Sequence, residues 1–259
     1  DFGSKISNVS RLKVSNMYVV ENPLSASGVS YVQRPSISSY ASTAGGLTRG
    51  IWSQNRDGIT SIYVVSGTTL YKSGLGTSYL PVGDIPGIET CKFASTIYHI
   101  GIISGGNLYL SDGEIVIPVD IPDNQKVSDI TNLDNYFIIS IENSNKFYYI
   151  MPGDTTVDPL SFTSAERNPD DIISVAAVGD EMWAIGETST EIFIDSGDAN
   201  APFVRLTGRV YDTGCADSRS VVRTIKDSLP CLVWVSSSKE VVLTQGVPSK
   251  ISNESVEEV

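Results

Sequence analysis

Apolar residues along this chain come in short runs broken by small turn residues, and nowhere at sustained helical spacing. Tyr63-Val64-Val65 leads through Ser66-Gly67-Thr68-Thr69 into Leu70-Tyr71, and Gly101-Ile102-Ile103-Ser104-Gly105-Gly106-Asn107-Leu108-Tyr109 repeats that arrangement without a gap, 38 residues on. β-Branched and aromatic runs of this length around Gly, Ser and Asn predict antiparallel hairpins. Phe137-Ile138-Ile139-Ser140, a polar turn through Asn143-Ser144-Asn145, and Lys146-Phe147-Tyr148 predict a third. Met182 to Phe193 predicts a fourth and Cys231 to Leu243 a fifth. The residues that open the turns, Ser66, Ser104, Ser140, Gly186 and Ser236, are spaced by 38, 36, 46 and 50. Turns are expected near Gly67, Gly105, Asn143-Ser144, Thr188-Ser189 and Ser237-Ser238, with the Ile, Val and Trp residues of each first strand in shared layers.

A unit of about 40 to 50 residues with several short strands cannot bury its faces alone and needs neighbours on both sides, which is the signature of propeller blades. The expected fold is all-β, a β-propeller-like series of antiparallel hairpins with five units visible and the ring completed by residues outside this chain. Residues 1–50, rich in Ser with Pro23 and Pro35, read as an N-terminal extension or ring-closing strand segment, and residues 51–259 as the propeller-like domain. That domain is expected to be truncated, because Ile251-Ser252 through Val259 reads as a strand interrupted. Asp1-Phe2-Gly3-Ser4-Lys5 has neither a starting Met nor a secretory pattern, which predicts a start inside a longer or processed product. The stretch 152–171 reads as loop, with room for one helical turn at Ser161–Glu166 ended by Pro169.

Composition narrows the function classes. With 41% hydrophobic and 19% charged residues the chain is globular, and no apolar run approaches the roughly 18 to 20 residues that span a bilayer, so a soluble protein is expected. Lys and Arg number 18 against 30 Asp and Glu, a net charge of −12. Proteins that grip phosphate backbones carry the opposite footprint. A negative surface still suits DNA that passes by, because like charge keeps a polyanion from sticking to the wall. Cys91, Cys215 and Cys231 are an odd set without C-x-x-C spacing and predict reduced, mostly buried thiols rather than a disulfide framework or zinc site. The sequons Asn8-Val9-Ser10 and Asn253-Glu254-Ser255 carry little weight, since the pattern is common by chance.

Catalytic chemistry finds little material. His99 is the only histidine, and no serine near it sits in a G-x-S-x-G turn, so it reads as a structural or surface residue. Asp195-Ser196-Gly197-Asp198 starts like a calcium loop but lacks the remaining ligand positions, and reads as a turn. Propeller glycosidases use paired carboxylates, for which Asp180 with Glu181, Glu187 with Glu191, and Asp170 with Asp171 are the candidates. Thr188-Ser189-Thr190 reads as the turn between Glu187 and Glu191, which makes both solvated turn acids. Ser111-Asp112-Gly113 is too compact for a sialidase Asp-box. No catalytic, cofactor-binding or metal-ligating residue is assigned, no cofactor is expected, and the chain reads as a non-enzyme.

Several stretches in order resemble the tail nozzle, or packaged-DNA stabilisation, family of short-tailed bacteriophages. They are Val14-Ser15-Asn16-Met17-Tyr18-Val19-Val20-Glu21, Arg34-Pro35, Gly46-Leu47-Thr48-Arg49-Gly50 and the Tyr63 to Tyr71 hairpin. The more specific ones follow: Leu160-Ser161-Phe162-Thr163-Ser164-Ala165-Glu166 with Pro169-Asp170, Gly186-Glu187 with Thr190-Glu191, Pro202-Phe203, and Gly214-Cys215-Ala216. The resemblance implies a virion tail component assembled in the bacterial host cytoplasm. It implies a homohexameric ring below the head-to-tail adaptor and next to distal tail proteins, which retains packaged double-stranded DNA and forms the passage for ejection. A carbohydrate- or receptor-binding propeller of a virion is the alternative reading, with Trp52 as its rim candidate, since Trp183 and Trp234 fall in strand interiors and read as core. A glycosidase comes third.

Overall fold

The computed structural model describes residues 17–34, 41–43, 45–73, 78–168, 170–198 and 201–253. Residues 1–16 with the Asn8 sequon and Val14-Ser15-Asn16, together with Pro35, Pro169 and the end of the interrupted strand at 254–259, lie outside the described residues. Two compact units emerge, Asp1–Ala41 and Ser42–Val259. In the first, β1 (Met17–Glu21) pairs antiparallel with β2 (Val29–Gln33).

The second unit is five four-stranded antiparallel sheets in chain order. Sheet one holds β3 (Thr48–Arg56), β4 (Ile59–Ser66), β5 (Thr69–Ser73) and β6 (Tyr79–Asp84). Sheet two holds β7 (Lys92–Ser95), β8 (Ile100–Ser104), β9 (Asn107–Ser111) and β10 (Val116–Val119), and sheet three β11 (Val127–Leu133), β12 (Tyr136–Ile141), β13 (Lys146–Ile150) and β14 (Phe162–Ser164). Sheet four holds β15 (Ile172–Val178), β16 (Glu181–Gly186), β17 (Thr190–Asp195) and β18 (Phe203–Tyr211), and sheet five β19 (Val222–Lys226), β20 (Leu229–Val235), β21 (Val241–Thr244) and β22 (Pro248–Lys250). The helical content of the described residues is two three-residue 3-10 turns, Pro122–Asn124 and Ser218–Ser220. The five hairpins anticipated from the repeat are the middle two strands of the five sheets, with turns where they were expected.

The stretch read as loop with a helical turn is corrected at Phe162–Ser164, which is a strand paired with β13 as Lys146↔Ser164, Phe147↔Thr163 and Tyr148↔Phe162. A three-residue strand has no periodicity of its own, and the free edge of β13 recruits it. Pro81, Pro118 and Pro248 all sit on fourth strands, where a missing N–H faces away from the ladder.

Strand β7 packs against both β3 and β11, and β11 against β15, so the sheets fan like propeller blades around an axis lined by first strands. Between consecutive blades lie four apolar cores. Tyr63, Val65 and Leu70 meet Ile100 and Ile102 between blades one and two, and Ile103 and Leu110 meet Phe137 and Ile139 between two and three. Ile138, Phe147 and Tyr149 meet Val175, Met182 and Phe193 next, and Trp183 and Ile185 meet Leu232 and Trp234 last. In blade three Phe137 and Ile139 thus face one neighbour and Ile138 the other, which is why β12 reads as a continuous apolar run. Blades one and five are different. Strand β3 alternates, with Ile51 65% exposed, and β19 is exposed throughout. No apolar cluster joins blades one and five among the described residues.

Trp234→Ala, which empties a fully buried site at the blade four–five core, is expected to cost about 3–5 kcal/mol, whereas Ile51→Ala should change stability by less than about 0.5 kcal/mol. Thermal midpoints of the two variants check the contrast; equal shifts would refute the assignment of blade faces.

Candidate functional site

The first strands of all five blades surround an axial cavity of about 620 Å³. Trp52 of β3 stacks on Phe93 of β7 along one wall, with centroids 6.1 Å apart and planes 9° from parallel, and Val221 and Val222 line the opposite side. Trp52 is therefore a half-buried axial residue, which corrects its reading as a rim aromatic: strand β3 turns it toward blade two, onto Phe93. Across the axis reaches Lys92, whose ammonium donates to the Ser128 carbonyl at 2.7 Å and to Ser218 Oγ at 2.5 Å and pairs with Asp129 at 3.2 Å. Asp129 also accepts from Ser174 Oγ and the Val175 N–H. Blades two, three and four and the 3-10 turn before blade five are joined through this one group. Burial pushes the Asp129 carboxyl above the usual carboxylate range, against the pull of Lys92.

The two mouths of the axis differ in chemistry. One, where first strands begin, carries Lys92, Glu142, Asp171, Glu187, Asp217 and Arg219. Arg219 hydrogen-bonds the Asp217 carboxylate and lowers it to about 2. The other, where first strands end in tight turns, carries Ser53, Asn55, Ser95, Tyr98, Asn132 and Asn135 around a recess of about 530 Å³.

Three of the six candidate carboxylates, Asp170, Glu181 and Glu191, are held for structural ends. Asp170 accepts from the N–H groups of Glu187, Thr188 and Ser189 at 3.0, 2.9 and 2.8 Å and from the hydroxyls of Thr188 and Ser189, so it clamps the β16–β17 turn. Glu191 corrects its reading as a solvated turn acid. The turn spans 187–189 and the strand resumes at Thr190, which places Glu191 2% exposed against Arg205 at 3.2 Å and the Arg167 N–H at 2.9 Å. Glu181 binds Arg209 and the indole N–H of Trp183, while Asp180 is exposed. Asp195 and Asp112 each accept backbone N–H groups of their own turns. Burial lowers the His99 imidazole, and its backbone N–H donates to Thr96 Oγ1. Cys215 and Cys231 are buried, Cys91 is half-buried, and all three are free. Among the described residues no three Asp, Glu, His or Cys side chains converge to hold a metal.

The motifs that carried the resemblance come together in space. Gly186 lies under Asp170, where a Cβ would stand 2.4 Å from Oδ2, and Gly214 lies against the Glu187 carbonyl, where a Cβ would stand 2.0 Å from the oxygen. The Cys215 N–H donates to the Gly186 carbonyl, Thr190 Oγ1 to the Thr213 carbonyl, and Trp234 Nε1 to the Gly214 carbonyl. Phe203 packs edge-on to Tyr136 at 5.4 Å and Tyr149 at 5.5 Å. In the earlier motif Arg49 is 4% exposed, and its guanidinium donates to the carbonyls of Gly67, Ile85, Pro86 and Glu89 and to Ser104 Oγ. One side chain ties three turns of blades one and two.

A family model described as bacteriophage P22 Gp10, beta-propeller, matches residues 6–259. The chain belongs to that family. It is accordingly a phage structural protein; Arg49 and Gly214-Cys215 of its motifs sit at joints between blades, and Asp170 clamps a turn of blade four. Comparison with curated protein sequences gives no match. Among solved structures, that of BBS1N in complex with ARL6DN is similar at TM-score 0.52 and 10% identity, over 80% of this chain and 68% of that one. Dihydro-heme d1 dehydrogenase NirN in complex with DHE is similar at 0.51 and 15%, over 93% of this chain and 55% of that one. At such identities the likeness shows the fold alone.

Residues that sequence reasoning missed are Arg49 as a buried cation, Lys92 and Asp129 at the axis, and Tyr98 at the mouth. Arg49 sat inside a quoted motif, but a burial signal was lacking because its partners are carbonyls.

Two outcomes are expected. Arg49→Met leaves those carbonyls unpaired and should cost on the order of 3 kcal/mol, read as a lowered thermal midpoint; Arg49→Lys, without the planar five-donor fork, should recover only part of it. Lys92→Met should raise the Asp129 carboxyl further. Both chains lose stability as pH rises from about 4, where the unfolded carboxyl releases its proton, up to the native chain's raised value; above it only the variant goes on losing stability, until its own higher value is passed. A carbon-13 titration of the Asp129 carboxyl with midpoints across that range checks both steps; a variant whose carboxyl titrates no higher than the native one would overturn them.

Proposed function

We propose that this chain is a tail component of a short-tailed phage, of the nozzle type, that helps retain packaged DNA and forms part of the passage through which it leaves. The family match over residues 6–259 carries the reading. The geometry supports a scaffold rather than a reaction centre. Of the candidate carboxylates, Asp170 clamps a turn and Glu181 and Glu191 pair with arginines.

The axis of the propeller is not a DNA path in this reading. Its cavity of about 620 Å³ has the volume of a small-molecule site, about 300–1,000 Å³, and Lys92 spans it to Ser218. The passage would lie between copies of the chain, arranged as a homohexamer joined to the head-to-tail adaptor above and distal tail proteins below. A net charge of −12 suits a wall that a polyanion slides along. Basic contacts would displace counterions and add affinity that ejection must then break. Screening limits that repulsion to about 8 Å at physiological salt, so retention would come from a steric gate or a plug.

Gold-labelled antibody against this chain should mark the tail in electron micrographs of the source particle, and particles lacking the chain should package DNA and then lose it. Label elsewhere, or stable filled heads without the chain, would sink the proposal. The assembled protein should also bind duplex DNA no more tightly than about micromolar at physiological salt, the range of non-specific contact, and sub-micromolar binding would contradict a low-friction wall.

A further inference from the structure

We infer that the recess where the first strands end is a binding site for neutral oligosaccharides, an activity beyond the tail role proposed above and independent of it. Its walls are the end of β3, the end of β7 with its following turn, and the end of β11, and its volume of about 530 Å³ lies within the range of small-ligand sites.

Unused hydrogen-bonding capacity converges here. The Asn132 amide and the hydroxyls of Ser53, Ser95 and Tyr98 have no hydrogen-bond partner among the described residues, although each lines the recess. Asn55 spends its Nδ2 on Thr60 Oγ1, and Asn135 spends its Oδ1 on the Ile97 N–H, so each keeps its other amide end free. Amides and hydroxyls that both donate and accept match vicinal sugar hydroxyls, which do the same. Arg56 of the same wall donates to the Tyr98 carbonyl at 2.7 Å and to the Asp112 carbonyl at 3.4 Å and keeps its positive charge. Asp57 adds a carboxylate to the same wall. The two opposite charges offset each other at the recess, and the chain's net charge of −12 disfavours an acidic sugar relative to a neutral one.

Tyr98 supplies the apolar half of the recognition. It is 44% exposed beside Ile97, which is 59% exposed. The negative face of an aromatic ring attracts the weakly positive C–H face of a pyranose. The turn that presents it is already ordered, because Thr96 Oγ1 accepts from the N–H groups of Tyr98 and His99 and Arg56 holds the Tyr98 carbonyl. A turn held in advance loses little backbone entropy on binding. The opposite mouth offers no such match, since Glu142, Asp171, Glu187 and Asp217 would have to be desolvated by a neutral ligand.

The test is calorimetry on the full chain in its assembled state with maltose, lactose and chitobiose as neutral probes and sialyllactose as the acidic one. At least one neutral probe should bind saturably, sialyllactose more weakly than lactose. Tyr98→Ala and Asn132→Ala should each weaken that binding about tenfold at an unchanged thermal midpoint, with Ile225→Ala on blade five as the unaffected control. Absence of binding by all three neutral probes up to about 10 mM, preference for sialyllactose, or full affinity in folded Tyr98→Ala would overturn the inference. Tail labelling reads the proposed function separately, so either can fail alone.

Discussion

A four-stranded sheet with apolar residues on both faces cannot stand in water, and every other feature of this chain follows from how those faces are covered. Blades two, three and four each supply half of two cores, one to the blade before and one to the blade after. Mutual covering of consecutive sheets makes chain order the spatial order. Because β-sheets twist, stacked faces fan rather than lie flat, and the first strands are drawn toward a common axis. The cavity there is a consequence of fanning, and its lining is whatever the inner edges of the blades carry. Alternation returns in β3 and exposure in β19 because blades one and five share cores on one face only.

Apolar faces leave the turns unsupported, and buried polar groups hold them. Arg49 satisfies carbonyls from several turns, Asp170 satisfies the donors of the β16–β17 turn, and Glu191 holds the Arg167 N–H and the Arg205 guanidinium, in places where an unpaired group would cost about 1–3 kcal/mol. The family motifs fall on these residues and on the glycines pressed against them. A motif of Gly, Asp and Arg that in an enzyme would suggest chemistry serves here to lock a joint between blades. Lys92 does the same at the axis, where its contacts to Ser128, Asp129 and Ser218 draw blades two, three and five together.

That division of labour fits a particle component. The blades are held together by apolar cores and buried polar groups, and the two ends of the axis carry different surfaces. One end is ionic, with Asp217 and Arg219 paired; the other is rich in hydroxyls and amides and fronted by Tyr98. Blades one and five leave apolar residues uncovered, Ile51 on the one and Ile225 on the other.

The amino-acid sequence by itself determined the five hairpins, their turns and the all-β class, because strand period and turn chemistry are local and repeat at legible spacings. It also placed Trp183 and Trp234 in the core, since a Trp inside an apolar strand has no other stable home. What it left to the tertiary structure were relations between blades. Phe162–Ser164 became a strand only because β13 offered an edge, and Glu191 became buried only because Arg167 and Arg205 converge on it. Trp52 moved from rim to axis because blade two placed Phe93 beneath it. Burial of a polar group and the direction in which an inner strand faces depend on partners about 40 residues or more away in the chain, as Arg49 with Glu89 and Asp129 with Ser174 demonstrate, and no local pattern encodes them.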